Sequence, residues 1–64
     1  MNNNLKKLRD ELNLSQDAFS SKVDVSRQTI NSIENNKFDP SLPLAMKIAN
    51  FFDKRIEDIF FEQE

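Results

Sequence analysis

The sequence specifies an all-α domain of five short helices, the second and third forming a helix-turn-helix. Three observations carry this reading. Apolar residues recur at spacings of three and four along most of the chain. Ser15, Ser26 and Ser41 each stand just before such a run, where a helix N-cap belongs. The chain has no glycine, and Asn13, Asp24, Asn36 and Asp53 stand where helices must stop, Asn and Asp being the types that best tolerate positive φ after glycine.

In the first helix Leu5, Leu8 and Leu12 share one face, Lys6, Lys7, Asp10 and Glu11 fill the other, and the pattern ends near Asn13. The stretches Leu14-Ser15-Gln-Asp-Ala-Phe19 and Val25-Ser26-Arg-Gln-Thr-Ile30 then repeat one arrangement. An apolar residue precedes a serine cap, and another apolar residue follows at the fourth helical position. This is the hydrophobic staple, which fixes the angle at which the chain enters a helix. The caps lie eleven residues apart, so the second helix spans only Gln16 to Val23 before a tight turn delivers the chain into the third. Helices this short are marginal alone and must pack on each other. A loop from Asn35 to Pro40 follows. Ser41 caps a fourth helix over about 42–52, with Leu44, Ala45, Ile48, Ala49 and Phe52 on one face and Pro43 in the first turn, where its missing amide costs little. Asp53-Lys54-Arg55 breaks the pattern, and Ile56, Ile59 and Phe60 make a last helix over about 56–60.

The 64 residues make one domain with a small core, which dimerisation would reinforce. The absence of Cys and His removes disulfides, the usual structural metal sites and the commonest catalytic groups, and there is no glycine-rich phosphate loop. We therefore expect no enzyme, no cofactor, no metal and no small-molecule ligand. No apolar run approaches a membrane span, and a cytoplasmic location is expected. A net charge of −2 and a pI near 5.0 argue against a generic nucleic-acid binder, so the distribution of charge decides.

Across residues 16–35, Phe19, Val23, Val25, Ile30 and Ile33 fall inside, Ser20 is the small residue where two helices cross, and Asp24 occupies the turn. At about 100° per residue, the side of the third helix opposite Ile30 and Ile33 carries Gln28, Asn31, Ser32 and Asn35, with Arg27 at its edge and no acid among them. Amides pair with adenine and arginine with guanine, so this face has the chemistry to read the major groove. The same side chains would also serve as an ordinary solvated face.

Arg9 and Glu34 lie beside the apolar stripes of their helices rather than opposite them. We expect them to pair as a partly buried bridge between the first and third helices, removing the Glu34 charge from the field of DNA. Gln16 at the start of the second helix and Lys37 beyond the third are placed for phosphate.

These features resemble the Cro/CI-type (XRE) helix-turn-helix family. The stretches Leu-Lys-Lys-Leu-Arg-Asp-Glu-Leu, Leu-Ser-Gln, Val-Ser-Arg-Gln-Thr-Ile, Ile-Glu-Asn-Asn-Lys, Asp-Pro-Ser-Leu and Ile-Glu-Asp-Ile-Phe match its hallmarks in order and spacing from Leu5 to Phe60. The resemblance implies a five-helix, lambda-repressor-like domain that binds a palindromic operator in double-stranded DNA as a homodimer, repression being the family's default. It assigns Gln16 to phosphate and base contact, Ser26 to a cap and phosphate, and Arg27, Gln28, Asn31 and Ser32 to the recognition surface. Asn35 and Lys37 go to backbone contacts, and the Arg9–Glu34 bridge is supported. Asp24 departs from the usual turn glycine, Ser20 from alanine, and Lys54-Arg55 from an apolar residue and a capping serine, which bears on where the fifth helix starts.

Phe51, Ile56, Ile59, Phe60 and Phe61 remain once a core has been filled, which points to a two-fold interface near the C-terminus or to rings that close a sparse core. The rival to a DNA-binding regulator is a protein-interaction module of antitoxin or anti-regulator type.

Overall fold

The structure, a computed structural model, describes residues 1–62. Each strong helix start is a serine. Ser15, Ser26 and Ser41 all have extended backbone, and their Oγ atoms accept the amides of Ala18, Thr29 and Leu44 at 3.0, 3.2 and 3.3 Å. The helices they open are α2 (Gln16–Lys22), α3 (Arg27–Glu34) and α4 (Leu42–Phe52). They follow α1 (Leu5–Glu11) and precede a single turn, α5 (Ile56–Ile59). The staple residues Leu14 and Val25 pack against the core that holds Phe19 and Ile30.

The helix ends are equally local. Asn13, Asp24, Asn36 and Asp53 take φ of 55, 60, 60 and 55°. Beside each, a backbone bond runs five residues back: Leu14 N–H to Arg9, Val25 to Ser20, Lys37 to Ser32 and Lys54 to Ala49, at 2.9 to 3.1 Å. These are Schellman closures, normally completed by glycine. Here Asn and Asp complete all four.

α2 packs on α3 about the Asp24 turn, and α4 closes beneath them. Leu5, Phe19, Ile30, Ile48 and Ile59 are fully buried at the centre. Phe19 stacks on Phe52 and meets Phe51 edge-on, both at 5.3 Å between centroids, so one ring from α2 is held by two from the end of α4.

One feature adds to the five-helix reading. Phe60 does not continue α5. It turns extended (φ −115°, ψ 130°) and begins β2 (Phe60–Phe61), which pairs antiparallel with β1 (Asn2–Asn3), Asn3 opposite Phe60 and Asn2 opposite Phe61. Asn is depleted in strands and two residues show no alternation, so only the tertiary pairing creates this ladder. Arg55 opens α5 without the side-chain acceptor that a serine would supply. The Asp58 carboxylate accepts the Arg55 amide at 3.4 Å, which completes half of a capping box.

Because Asp53 carries a Cβ in the left-handed region and has no side-chain bond among those of the described residues, Asp53→Gly is expected to raise stability by about 0.5 kcal/mol, and Asp53→Val to lower it by about 1 kcal/mol or more. Urea denaturation midpoints at fixed protein concentration check both signs.

Candidate nucleic-acid interface

α3 presents two chemically distinct sides. Ile30 and Ile33 are buried, whereas Arg27, Gln28, Asn31 and Asn35 are exposed and Ser32 is half-buried. The outward side is held by short polar links. Ser26 caps the helix and its hydroxyl lies 3.0 Å from that of Thr29. Asn35 Nδ2 donates to the Asn31 carbonyl at 2.9 Å and to Asn31 Oδ1 at 3.2 Å, while Gln16 Nε2 donates to the same Oδ1 at 3.3 Å. The Asn31 amide is thus oriented from two sides.

Gln16 is half-buried and also donates to Glu34 Oε1 at 3.1 Å, which pins the start of α2 to the end of α3. Glu34 in turn receives a two-point contact from Arg9, Nε to Oε2 at 2.9 Å and Nη2 to Oε1 at 3.1 Å. The remaining Arg9 Nη1 donates to the Leu14 carbonyl at 2.6 Å. Both side chains are more than nine-tenths buried. The hydrogen bond to Glu34 raises the Arg9 pKa above its ordinary value; burial works against this, and the charges of Glu34 and Asp10 add to it. The guanidinium therefore stays charged at every pH the fold survives.

Arg27 projects from the first turn of α3 and faces Asp17 of α2 at 3.9 Å, with both side chains mostly in water. A pair so exposed is worth little and yields readily to a stronger anion. Lys37 is exposed in the loop after α3. An open depression of about 370 Å³ lies along this side, lined by Ser26, Gln28, Thr29, Ser32, Lys37 and Phe38. No reading of the sequence singled out Phe38. Its signal was an apolar residue with no periodic partner in a polar loop.

The C-terminal residues divide. Phe61 is exposed, and Phe51 and Ile56 are half-buried against the core. Ile59 and Phe60 do not belong with them, since they are 0% and 6% exposed and complete the core of the single chain. Asn3 was also missed. Its Nδ2 donates to the Ile33 carbonyl at 2.9 Å and its Oδ1 accepts the Leu5 amide at 3.0 Å, so the N-terminal strand clasps the end of α3. Among the described residues no group of His, Cys, Asp or Glu is placed to hold a metal ion, and no helix is long and apolar enough to cross a membrane.

Two helices stapled about a tight turn, with a polar outward side on the second, define a helix-turn-helix DNA-binding domain. The chain belongs to the helix-turn-helix family HTH_3, of XRE type, which it matches over residues 5–59. It is a member of a family of DNA-binding transcriptional regulators, not of enzymes. It is 53% identical over its whole length to an uncharacterized HTH-type transcriptional regulator of Methanocaldococcus jannaschii, covering 97% of that protein. It is 38% identical over 97% of its length to control protein C.MunI from a Mycoplasma species, covering 85% of it. Its fold is similar to the restriction-modification controller protein C.AhdI from Aeromonas hydrophila, with a TM-score of 0.78, 25% identity and coverage of 88% of this chain and 85% of that one.

Removing one partner of the buried bridge strands a charge in the interior, so Arg9→Ala and Glu34→Ala should each cost about 3 kcal/mol, while Arg9→Met with Glu34→Leu should lose much less than the two losses added together. Denaturant titration of the single and double variants measures the coupling directly.

Proposed function

We propose that this protein is a sequence-specific repressor that binds a palindromic operator as a homodimer, with α3 of each subunit in the major groove. The observation that carries the reading is the polarity of α3. Its outward side offers guanidinium, amide and hydroxyl groups, and its one carboxylate, Glu34, is neutralised in the interior by Arg9. In this reading Arg27 and Gln28 meet base edges first, Asn31 presents an amide oriented by Gln16 and Asn35, and Ser32 lies deeper in the groove. Ser26, Asn35 and Lys37 contact the phosphate backbone and fix the register, and Gln16 reaches the same backbone from the start of α2. Relatives named as transcriptional regulators and as a control protein, with a structural neighbour named as a restriction-modification controller, support a regulatory role.

The partner chain docks near the C-terminus. With Ile59 and Phe60 committed to the core, the contact falls to Phe61 and to the exposed parts of Phe51 and Ile56. A two-fold axis there would present the recognition helices to successive major grooves about 34 Å apart. Occupying such a site at a promoter excludes the polymerase, which is repression by competition for DNA.

Selection from a pool of randomised duplexes tests the whole reading. Enrichment of a palindromic motif is expected, and anisotropy titration of that duplex should give two chains per site. Failure to enrich any motif, with capture of a stable protein partner instead, would favour an antitoxin-like interaction module.

Arg27→Ala and Gln28→Ala should each lower affinity for the selected duplex by about 1–3 kcal/mol and relax base preference within each half-site, and this is measured by repeating the selection with each variant. Phe61→Glu should shift the protein to monomer in sedimentation equilibrium and weaken operator binding far more than binding to a half-site.

A further inference from the structure

The loop between α3 and α4 exposes an aromatic ring that neither the core nor the reading face uses. Phe38 has half its surface in water, a costly position for a phenylalanine in a chain with so few large apolar residues. It is not isolated. Together with Lys37 it forms part of the wall of the depression along α3, whose other lining groups are the hydroxyls of Ser26, Thr29 and Ser32 and the amide of Gln28. The set holds an ammonium, three hydroxyls, an amide and a phenyl ring, and no carboxylate. The neighbouring Asp39 lies outside the lining and is paired with the N-terminal ammonium at 3.4 Å.

A cation and hydroxyls beside an apolar ring suit a ligand that carries an anion and a hydrocarbon face in adjacent positions. A deoxyribose phosphate has that construction: charged oxygens beside a sugar whose C–H edge is apolar. The depression is also continuous with the base-reading side, since Gln28 and Ser32 belong to both. A strand bordering the groove that α3 enters would pass over it. We propose that Phe38 is a DNA-contacting residue, its ring packing on the deoxyribose whose phosphate is held by Lys37, so that the loop grips one backbone unit by charge and by apolar contact together. The inference rests on the DNA-binding reading and adds a contact to it.

The two halves of the grip have different signatures. Lys37→Gln removes one phosphate contact per subunit and should flatten the dependence of log affinity on log salt by about 0.9 per subunit. Phe38→Ala removes no charge. It should weaken binding to the selected operator and to a random duplex alike, roughly five- to tenfold per subunit, the order expected when about half a phenyl ring leaves water on binding, with the salt slope unchanged. Phe38→Leu, which keeps most of the apolar surface, should recover the larger part, and circular dichroism with sedimentation establishes that each variant folds and dimerises as the parent does.

A direct readout comes from 4-fluorophenylalanine incorporated in place of all phenylalanines. The ¹⁹F resonance missing from Phe38→Leu is that of Phe38, and it should shift when duplex is added. If the parent binds operator but Phe38→Ala binds as tightly and the resonance stays fixed, the inference fails and the DNA-binding reading stands. If Phe38→Ala changes the association of subunits while leaving DNA affinity per dimer intact, the ring belongs to a protein contact and the inference also fails. If the parent binds no duplex at all, both fall together.

Discussion

The geometry of this domain depends on one buried ion pair. Arg9 and Glu34 meet through two hydrogen bonds, and each has a second obligation: Arg9 to the Leu14 carbonyl, Glu34 to the Gln16 amide. Four pieces of chain therefore converge on two side chains: α1, the turn that follows it, the start of α2 and the end of α3. A pair so deeply buried adds little net stability compared with well-packed apolar residues. What it supplies is position. The helices of the motif have seven and eight residues and would each be marginal alone, so an apolar contact that allowed them to slide would leave the outward side of α3 aimed in several directions. The two-point contact between a planar guanidinium and a carboxylate restricts their relative orientation far more closely.

The same pair resolves a conflict in the electrostatics. The chain is acidic, yet its family binds a polyanion. Burial of Glu34 against Arg9 makes α3 free of outward carboxylates, and Asp17 is loosely matched to Arg27. Other acids lie off α3 and carry partners of their own, Asp24 in the turn before it paired to Lys47 and Glu57 of α5 to Arg55. Few cations remain to displace counterions, so in the proposed complex sequence-independent attraction would be weak and discrimination would fall to oriented polar groups. The chain of donors from Gln16 and Asn35 onto Asn31 suits that demand, because an amide fixed before binding loses less entropy on contact.

How much of this was legible in the sequence follows from the range over which each feature is determined. Serine caps, staples and left-handed Asn and Asp residues are decided within six residues, and all could be read directly from Ser15, Ser26, Ser41 and the four stop positions. The outward side of α3 follows from helical periodicity once Ile30 and Ile33 are known to point in. Even the meeting of Arg9 with Glu34 was visible, since a charged residue flanking an apolar stripe needs a partner across it. The pairing of Asn2–Asn3 with Phe60–Phe61 was not visible, because it joins segments nearly the whole chain apart, Asn is depleted in strands, and two phenylalanines are too short a run to show alternation. That omission explains the misassignment of Ile59 and Phe60. With a fifth helix carried through Phe60, its apolar residues looked surplus, whereas Ile59 ends α5 on its buried side and the turn to extended backbone after it leaves Phe60 buried as well.

The N-terminal strand gives this correction a structural meaning. β1 is bonded to β2 on one side, and through Asn3 it holds the Ile33 carbonyl at the end of α3 on the other. Asn3 also approaches Asn36, the left-handed residue that launches the loop bearing Lys37 and Phe38. The C-terminal residues that include Phe61 are thereby connected through two short links to the recognition helix and its loop, without passing through the apolar core. In the dimer proposed above, the surface on which subunits would meet and the surface that would meet DNA are separated by a single asparagine-rich strand. In that dimer the orientation of each α3 relative to the two-fold axis would be set by hydrogen bonds with defined geometry, rather than by apolar packing alone, and the half-site spacing would follow from it.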